Sequence, residues 1–465
     1  MRTAIFKLSV LTTAMLSVLL FLSTAFAQPD PSKKDQKKAN QFIDQAEKGY
    51  KEKNYRNAVD KYAQAIVIWP SNAKAHFGKG VSHYSLQEYD QAVSELNSAQ
   101  KLGYPARDVI RYRWLSYYLK KDYDGAYADL KEGLRIEPDN NNYLKGFGEI
   151  SFNKGAIADA LQAFQKAVAQ EPNNADLYYN IAQCQYRLGN VAGQASAAEE
   201  AIKRNTQYVG EANFLVGDAD KKLKKNQEAI AAFNKSLEKR TDLLDTYIQL
   251  ADAYRAEAMY PEAIEATKKG LRAFPNNGLL YTNVAWYYSL AGKKDEAVQA
   301  ALAAVKFQGD QSLPFTNLCR AYNEVGDYAK AIAACNSALK ISPDDGETLY
   351  YLGYAYNSQN KKSEAAKYFD RAVTGLESFT KNNQDYSDGF YLLGNAYLSD
   401  NQEEKAIAAY TKCLQLSPRF ARARANLGII HVLRKNKAAA MDQYTTLLTI
   451  DPALAAKLKA EIDKL

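Results

Sequence analysis

Alanine recurs at Ala58, Ala92, Ala126 and Ala160, each 34 residues after the last, and the period resumes at Ala229, Ala263, Ala297, Ala331 and Ala365. Two further copies, centred on Ala406 and Ala440, follow a seven-residue insertion, and one divergent copy carries Gln194 where alanine would stand. The register defines twelve units over residues 39–454. A unit this short cannot bury an apolar face by itself, so a fixed period of this length demands that neighbours stack into one continuous core. Each unit divides into two amphipathic segments of about 12 to 14 residues, the length and spacing of helices rather than strands. In the ninth unit, residues 315–322 read as a first helix, Gly326-Asp327-Tyr328 as a turn and residues 331–339 as a second helix, with Pro343 ending it because proline cannot continue a helix.

The small residues within each unit are equally regular. Gly80, Ala182, Gly217, Ala251, Ala285, Gly353, Gly394 and Gly428 fill one site on the first helices. The periodic alanines fill a second site, and Ala65, Ala99, Gly133, Ala167, Ala201, Ser236, Gly270, Ala304, Ala338 and Ala372 a third. Pro70, Pro138, Pro172, Pro275, Pro343, Pro418 and Pro452 close repeats. This pattern resembles the tetratricopeptide-repeat signature over about nine tenths of the chain. The resemblance implies an all-α, right-handed α-solenoid of about twelve helix-turn-helix repeats. Repeats one to ten would occupy residues 39–379 and repeats eleven and twelve residues 387–454, with a C-terminal capping helix over residues 455–465. A polar, lysine-rich linker is expected over residues 28–38, and residues 380–386 are expected to form a longer joint, a hinge or subdomain boundary. Trp114 stands where a small residue belongs, which requires the third unit to splay or repack, and Thr206 and Thr241 replace the closing proline of the fifth and sixth units.

In this family the first helices line the concave face. Carrying its inward sites over gives an aromatic groove of Phe77, Tyr84, Tyr118, Phe152, Tyr179, Tyr186, Phe214, Trp286, Tyr350, Tyr354 and Tyr391. Interleaved polar members include Arg111, Lys145, Glu149, Gln183, Arg255, Arg320 and Asn395. Asn180, Asn283, Asn317 and Asn426 recur at one further inward site, similar to the asparagines with which some family members hold peptide backbones; Gly78, Tyr112, Gly146 and Leu215 interrupt the series. Aromatic faces beside hydrogen-bonding groups suit an extended peptide or protein segment, or a sugar chain. Some of these rings are instead expected to close the packing between adjacent first helices.

Residues 1–27 have the plan of an export signal: Arg2 and Lys7 at the start, an apolar run over residues 8–26, and Ala25-Phe26-Ala27 as a cleavage site before Gln28. An uncleaved membrane anchor over residues 8–26 is the alternative. The expected location is periplasmic or secreted, with no membrane span after cleavage. Without Arg2 and Lys7 the chain carries 58 basic residues against 53 acidic ones, spread along its length, which argues against a nucleic-acid partner.

Nothing in the chain suggests catalysis. There is no phosphate loop, nucleophile elbow or His-Glu-x-x-His motif, and His76, His83 and His431 lack the spacing of a metal site, so neither metal nor cofactor is expected. Lys221, Lys222, Lys224 and Lys225 read as a solvated helix end or as a site for an acidic partner. Cys319 and Cys335 fall at the same height on the two helices of one unit; they are either a disulfide or two small core residues. The leading functional expectation is a non-catalytic interaction scaffold of the cell envelope or outside space. A polysaccharide- or peptidoglycan-associated export subunit and the regulatory arm of a separate enzyme such as a glycosyltransferase are the alternatives.

Overall fold

The computed structural model describes residues 31–465. Within them the chain runs through helix pairs α1 (Lys33–Lys51) and α2 (Tyr55–Ile68), α3 (Ala73–Ser85) and α4 (Tyr89–Lys101), and α5 (Ala106–Leu119) and α6 (Tyr123–Ile136), then through α7 (Asn141–Asn153) and α8 (Ile157–Gln170). It continues through α9 (Ala175–Arg187) and α10 (Val191–Lys203), α11 (Val209–Lys222) and α12 (Asn226–Lys239), α13 (Leu244–Ala256) and α14 (Tyr260–Ala273), and α15 (Gly278–Leu290) and α16 (Lys294–Gln308). Then follow α17 (Ser312–Val325) and α18 (Tyr328–Ile341), α19 (Gly346–Ser358) and α20 (Lys362–Asn382), α21 (Ser387–Ser399) and α22 (Glu403–Leu416), α23 (Ala421–Leu433) and α24 (Lys437–Ile450), and the single α25 (Pro452–Ile462). The fold is an α-solenoid of 25 helices, with no strand, among the described residues. It divides into an N-terminal unit ending at Ala156 and a C-terminal unit from Ile157 to Leu465.

Local chemistry sets the helix ends. Asn72, Asn174, Asn277 and Asp345 each accept a hydrogen bond from a backbone N–H in the first turn of the helix that follows, satisfying a donor that has no partner inside the helix. Inside a pair, one left-handed residue reverses the chain. Gly326 supplies it between α17 and α18, where a side chain would be strained.

The small residues do what close helix approach requires. The periodic alanines from Ala58 to Ala440 are buried at the pair seams. A methyl at Gly217 would stand 2.7 Å from the Phe233 ring, and one at Gly394 would stand 2.5 Å from the Tyr410 ring. Tyr410 cannot swing aside, because it is fully buried and its hydroxyl donates to Asn395 Oδ1 at 2.7 Å. Gly394→Ala is therefore expected to lower stability by about 1–3 kcal/mol, the range for overpacking a tight core. A thermal melt unchanged within a degree would contradict that fit.

The departures from the repeat have local explanations. Gln194, in an alanine site, is fully buried, and its Nε2 donates to Leu215 O at 2.7 Å and Asp218 Oδ2 at 2.8 Å, so it ties its pair to the next first helix. Trp114 is accommodated by repacking: its ring lies over Gly146, where any Cβ would come within 3.0 Å of it. Thr206, in place of a closing proline, donates to Asp176 at 2.6 Å on the preceding first helix.

Three expected boundaries move. Of the linker expected over residues 28–38, the part from Lys33 on is helix instead, since α1 begins there with Ser32 accepting from Asp35 N, and its lysines lie on the solvent side; residues 28–30 lie outside the described residues. The insertion begins as helix, because α20 runs through Asn382, and the boundary between compact units falls at Ala156, not at residues 380–386. The terminal helix starts at Pro452, and Ala455, Leu458 and Ile462 close the apolar end formed by Ala421, Ala440 and Leu447. The export signal and the anchor alternative lie outside the described residues. Among the described residues no helix is long and apolar enough to cross a membrane.

Candidate binding surface

In the N-terminal unit the first helices carry a continuous row of rings. Phe77 on α3 stacks on Tyr104, in the turn before α5, with centroids 4.2 Å apart. Phe77 also meets Tyr112 of α5 edge-on at 6.0 Å, and Tyr112 meets Tyr84 of α3 at 5.8 Å. All four rings are partly buried, and Phe77, Tyr104 and Tyr112 also pack against the core residues Val81, Leu96 and Val109. Burial, reinforced by neighbouring groups, pushes the Tyr84 and Tyr104 hydroxyls above the usual phenol range, leaving them neutral hydrogen-bonding groups. Further along, Tyr118 packs edge-on against Trp114 and Tyr123, and Glu149 of α7 pairs with its hydroxyl. Arg111 is exposed, while Lys145 and Phe152 are half-buried. His76 and His83 are taken up by Glu95 and Glu88 at 2.6 and 2.7 Å.

Two members of this row were not among the expected groove residues. Tyr112 occupies a position of the asparagine series, so the same register would have found it. Tyr104 lies outside the first helices and is recruited by the turn.

In the C-terminal unit the corresponding face is filled by the protein's own charges. Asp252 of α13 pairs with Lys221 and, at 2.8 Å, with Arg255. Arg255 also pairs with Asp388, at the start of α21, and lies 5.7 Å from the Tyr386 ring. Arg320 of α17 pairs with Glu347 at 2.9 Å and covers the Trp286 ring at 3.8 Å. Arg422 of α23 donates to the carbonyl of Ser289 and lies 3.6 Å from Glu324. Burial opposes the charge on Asp252, but Arg255 and Lys221 outweigh it and hold that carboxyl down at about 2. Burial wins at Asp388, whose carboxyl is raised despite Arg255, and at Glu347, pushed up to about 7 against the pull of Arg320.

The Glu347 shift has a definite sign. A carboxyl whose folded value lies above its unfolded one stabilises the fold fully below the unfolded value, and this stabilisation is lost as pH rises through the folded value. The C-terminal unit is thus expected to lose about 2 kcal/mol between roughly pH 4.5 and pH 7 from this group, a figure reduced because about a fifth of the side chain remains exposed. Glu347→Gln should flatten that segment of the stability profile in urea titrations. An identical slope in the variant would assign the pH dependence elsewhere.

Several other expected groove residues of this unit are engaged internally. Tyr179 is 7% exposed, stacks on Tyr208 at 4.6 Å and bonds Gln183 at 2.5 Å. Phe214 leans on Phe233, Tyr350 on Tyr351, and Tyr391 on Phe420. Asn317 donates to Thr282 O at 2.8 Å and accepts from Arg320 at 2.5 Å; Asn426 donates to Asn395 at 2.9 Å. Asn180 and Asn283 are half-buried. Tyr354 is exposed, as is Tyr186, over whose ring Lys222 lies at 4.6 Å. Of the lysine cluster, Lys221 and Lys222 are paired with Asp252 and Asp218, and Lys224 with Asp385 at 3.5 Å. Cys319 and Cys335 are joined, with Cα atoms 5.2 Å apart, and Cys184 and Cys413 are buried thiols. Among the described residues no group of His, Cys, Asp and Glu is arranged to hold a metal ion.

Comparison with known proteins gives the same repeat. Family models described as tetratricopeptide repeat match residues 45–104 and 317–383, and residues 210–238 and 387–420; a model described as TPR repeat matches residues 148–189. Similar curated proteins include the DnaJ protein P58IPK homolog of Arabidopsis thaliana, 23% identical over 203 residues, 39% of this chain and 42% of that protein. The small glutamine-rich tetratricopeptide repeat-containing protein 2 of Saccharomyces cerevisiae is 27% identical over 150 residues, 32% of this chain and 33% of that one. The chain thus spans less than half the length of these relatives. Among solved structures, a chain of the APC/C hetero-tetramer Cut9-Hcn1 aligns over 91% of this chain and 96% of its own at 14% identity, TM-score 0.40. Yeast Tom70 aligns over 92% and 94% at 14% identity, TM-score 0.38. With 25 helices in register, small residues at the seams and repeat matches spread along its length, the chain belongs to the tetratricopeptide-repeat family.

Proposed function

We propose that this protein is a non-catalytic, exported scaffold that holds an extended peptide or protein segment against the first helices of its N-terminal unit. The observation that carries the reading is the row Tyr104, Phe77, Tyr112 and Tyr84, each ring touching the next and none of them fully buried. Such rings offer a peptide large apolar faces at low entropic cost, with hydroxyls and the exposed Arg111 beside them for its polar groups. In the C-terminal unit the matching polar groups already bind one another, which favours the N-terminal row. Export is supported by the plan of residues 1–27 and agrees with the joined Cys319 and Cys335, since disulfides persist in oxidising compartments.

The test is photocrosslinking in the native cell envelope with a benzophenone side chain at Tyr112, followed by mass spectrometry. Specific peptide adducts are expected, and Phe77→Ala should weaken binding of a captured peptide about ten- to a hundredfold, the range for a central aromatic anchor. Adducts no different from those of a probe at Asp90, on α4, would sink the reading. A sugar chain is the second reading, favoured by the tyrosine hydroxyls; it predicts retention on a glycan matrix and little change with salt. Edman sequencing of the exported protein should begin at Gln28, and an intact residue 1 in the envelope fraction would favour the anchor.

A further inference from the structure

The C-terminal unit closes on itself through a seam that repeat stacking does not make. First helices α11, α13, α15, α17, α19 and α21 follow one another, each against the next. Across the seam, partners 133 to 161 residues apart meet instead. Arg255 of α13 pairs with Asp388 of α21, and Lys224, in the turn after α11, with Asp385 at 3.5 Å. Ser417 Oγ donates to Ala256 O at 3.4 Å, and Arg422 of α23 donates to Ser289 O on α15. All four contacts are polar. Leu250, Ala251 and Ala253 of α13 lie in one core cluster and Leu392, Leu393 and Ala396 of α21 in another, so the seam is held by its polar groups.

The break in the period is what brings the two sides together. Asp388 stands at the register position of Glu347, one 34-residue repeat plus the seven-residue insertion later, and Glu347 finds its cation in Arg320, on the preceding first helix. One repeat on from Arg320 stands Tyr354, which offers Asp388 no charge. The insertion lengthens α20 to 21 residues, against 13 to 15 for other second helices, and sets Asp385, Tyr386 and Asp388 on Lys224 and Arg255. The Tyr386 ring lies 5.7 Å from the guanidinium and is still 40% exposed, so the outer edge of the seam is thin.

Closure leaves hydrogen bonding incomplete on the inner face. Trp286 Nε1, Arg320 Nε, Asn323 Oδ1 and Glu324 Oε2 are buried with no partner among the described residues. They stand on α15 and α17, the helices that Arg422 crosses. An unpaired buried polar group opposes its own burial, and a buried ion pair recovers little more than its desolvation costs. The closed seam is thus held more weakly than the helices it joins, which have continuous apolar cores beneath them.

We propose that residues 380–388 are an autoinhibitory latch: closed, they hold α21 and α23 against α13 and α15 and cover the inner face of the C-terminal unit; released, they let α21–α25 move away with every helix intact. Small rotations shared among the repeats between α13 and α21 suffice for the release, because each repeat contacts only its neighbours. Opening frees Trp286, Arg320 and Asn323. A ligand of that face binds the open form alone and so draws the population toward it, at an affinity reduced by the fraction of chains that are open. The latch is independent of the ring row of the N-terminal unit.

The experiment uses the mature chain carrying Trp69→Phe and Trp114→Phe, which leaves Trp286 as its sole tryptophan. In a urea titration, acrylamide quenching of Trp286 should rise at least threefold before the amides of α14, α16 and α18 begin to exchange with solvent. The further variant Tyr386→Ala/Asp388→Asn should reach that quenching without urea and keep those amides protected. A second readout needs no tryptophan change: carbodiimide coupling of Lys224 to Asp385, identified by mass spectrometry, should form in the natural sequence and fall at least tenfold with Tyr386→Ala/Asp388→Asn. Simultaneous loss of Trp286 protection and of amide protection in the urea titration would overturn the proposal, since the seam would then belong to one cooperative unit. So would an undiminished cross-link in a variant whose amides stay protected. If the variant loses its helices, the urea titration of the parent decides by itself.

Discussion

Asp388→Ala is expected to lower the stability of the C-terminal unit by about 3–5 kcal/mol, the cost of leaving a buried charge without its partner. Asp388 is only 2% exposed on its side chain and Arg255 11%, so water cannot replace the missing carboxylate. Asp252 remains beside Arg255, but it is shared with Lys221 and cannot neutralise both cations. The pair joins α13 to α21, more than a hundred residues apart in the chain, and the hydrogen bonds Ser417 Oγ to Ala256 O and Arg422 to Ser289 O run between neighbouring helices of the same two regions. Losing the pair should therefore loosen a contact that nearest-neighbour stacking does not supply. Urea unfolding followed by circular dichroism measures the effect. The double variant R255M/D388L should recover most of the loss, because two apolar side chains leave no orphan charge. A loss below about 1 kcal/mol for Asp388→Ala would show that solvent reaches the site and that the pair is a surface one.

Reduction of the Cys319–Cys335 bridge is expected to cost about 3 kcal/mol, from the chain entropy regained by a loop of roughly 15 residues on unfolding. The bridge ties α17 to α18 at 16 residues' separation. Both sulfurs are fully buried, so the replacement matters. Cys319→Ala/Cys335→Ala removes the bridge and leaves a small residue at both positions, as Ala285 and Ala301 do in the preceding repeat. The double variant should melt at lower temperature than the oxidised protein and match it in the presence of reductant. Intact mass with and without reductant should differ by two daltons. No mass difference in protein taken from its native compartment would reject the bridge.

How much of this was legible in the sequence depends on the range of the forces involved. Helix pairs, seams and caps are set by neighbours within one repeat, and repetition copies the same signal twelve times. Ala58, Gly217 and Gly394 could thus be assigned from register alone. The site is different. The first-helix positions located Phe77 and Tyr84, yet their partners Tyr104 and Tyr112 were found only when the turn before α5 folded back and when a ring took the place of an asparagine. Arg320, Asn317 and Asn426 read as inward-facing binding groups and do face inward, but the inward side is where they meet Trp286, Thr282 and Asn395.

The sequence by itself determined the repeat, its period and the helical solenoid, because a 34-residue pattern of small and apolar residues admits one way of stacking. Tertiary structure alone decided which inward residues remain available. Arg255 and Asp388 lie 133 positions apart, and no local periodicity encodes their meeting. It follows from the summed geometry of the repeats between them, and burial gives that meeting its weight, since either group without the other would be a buried unpaired charge.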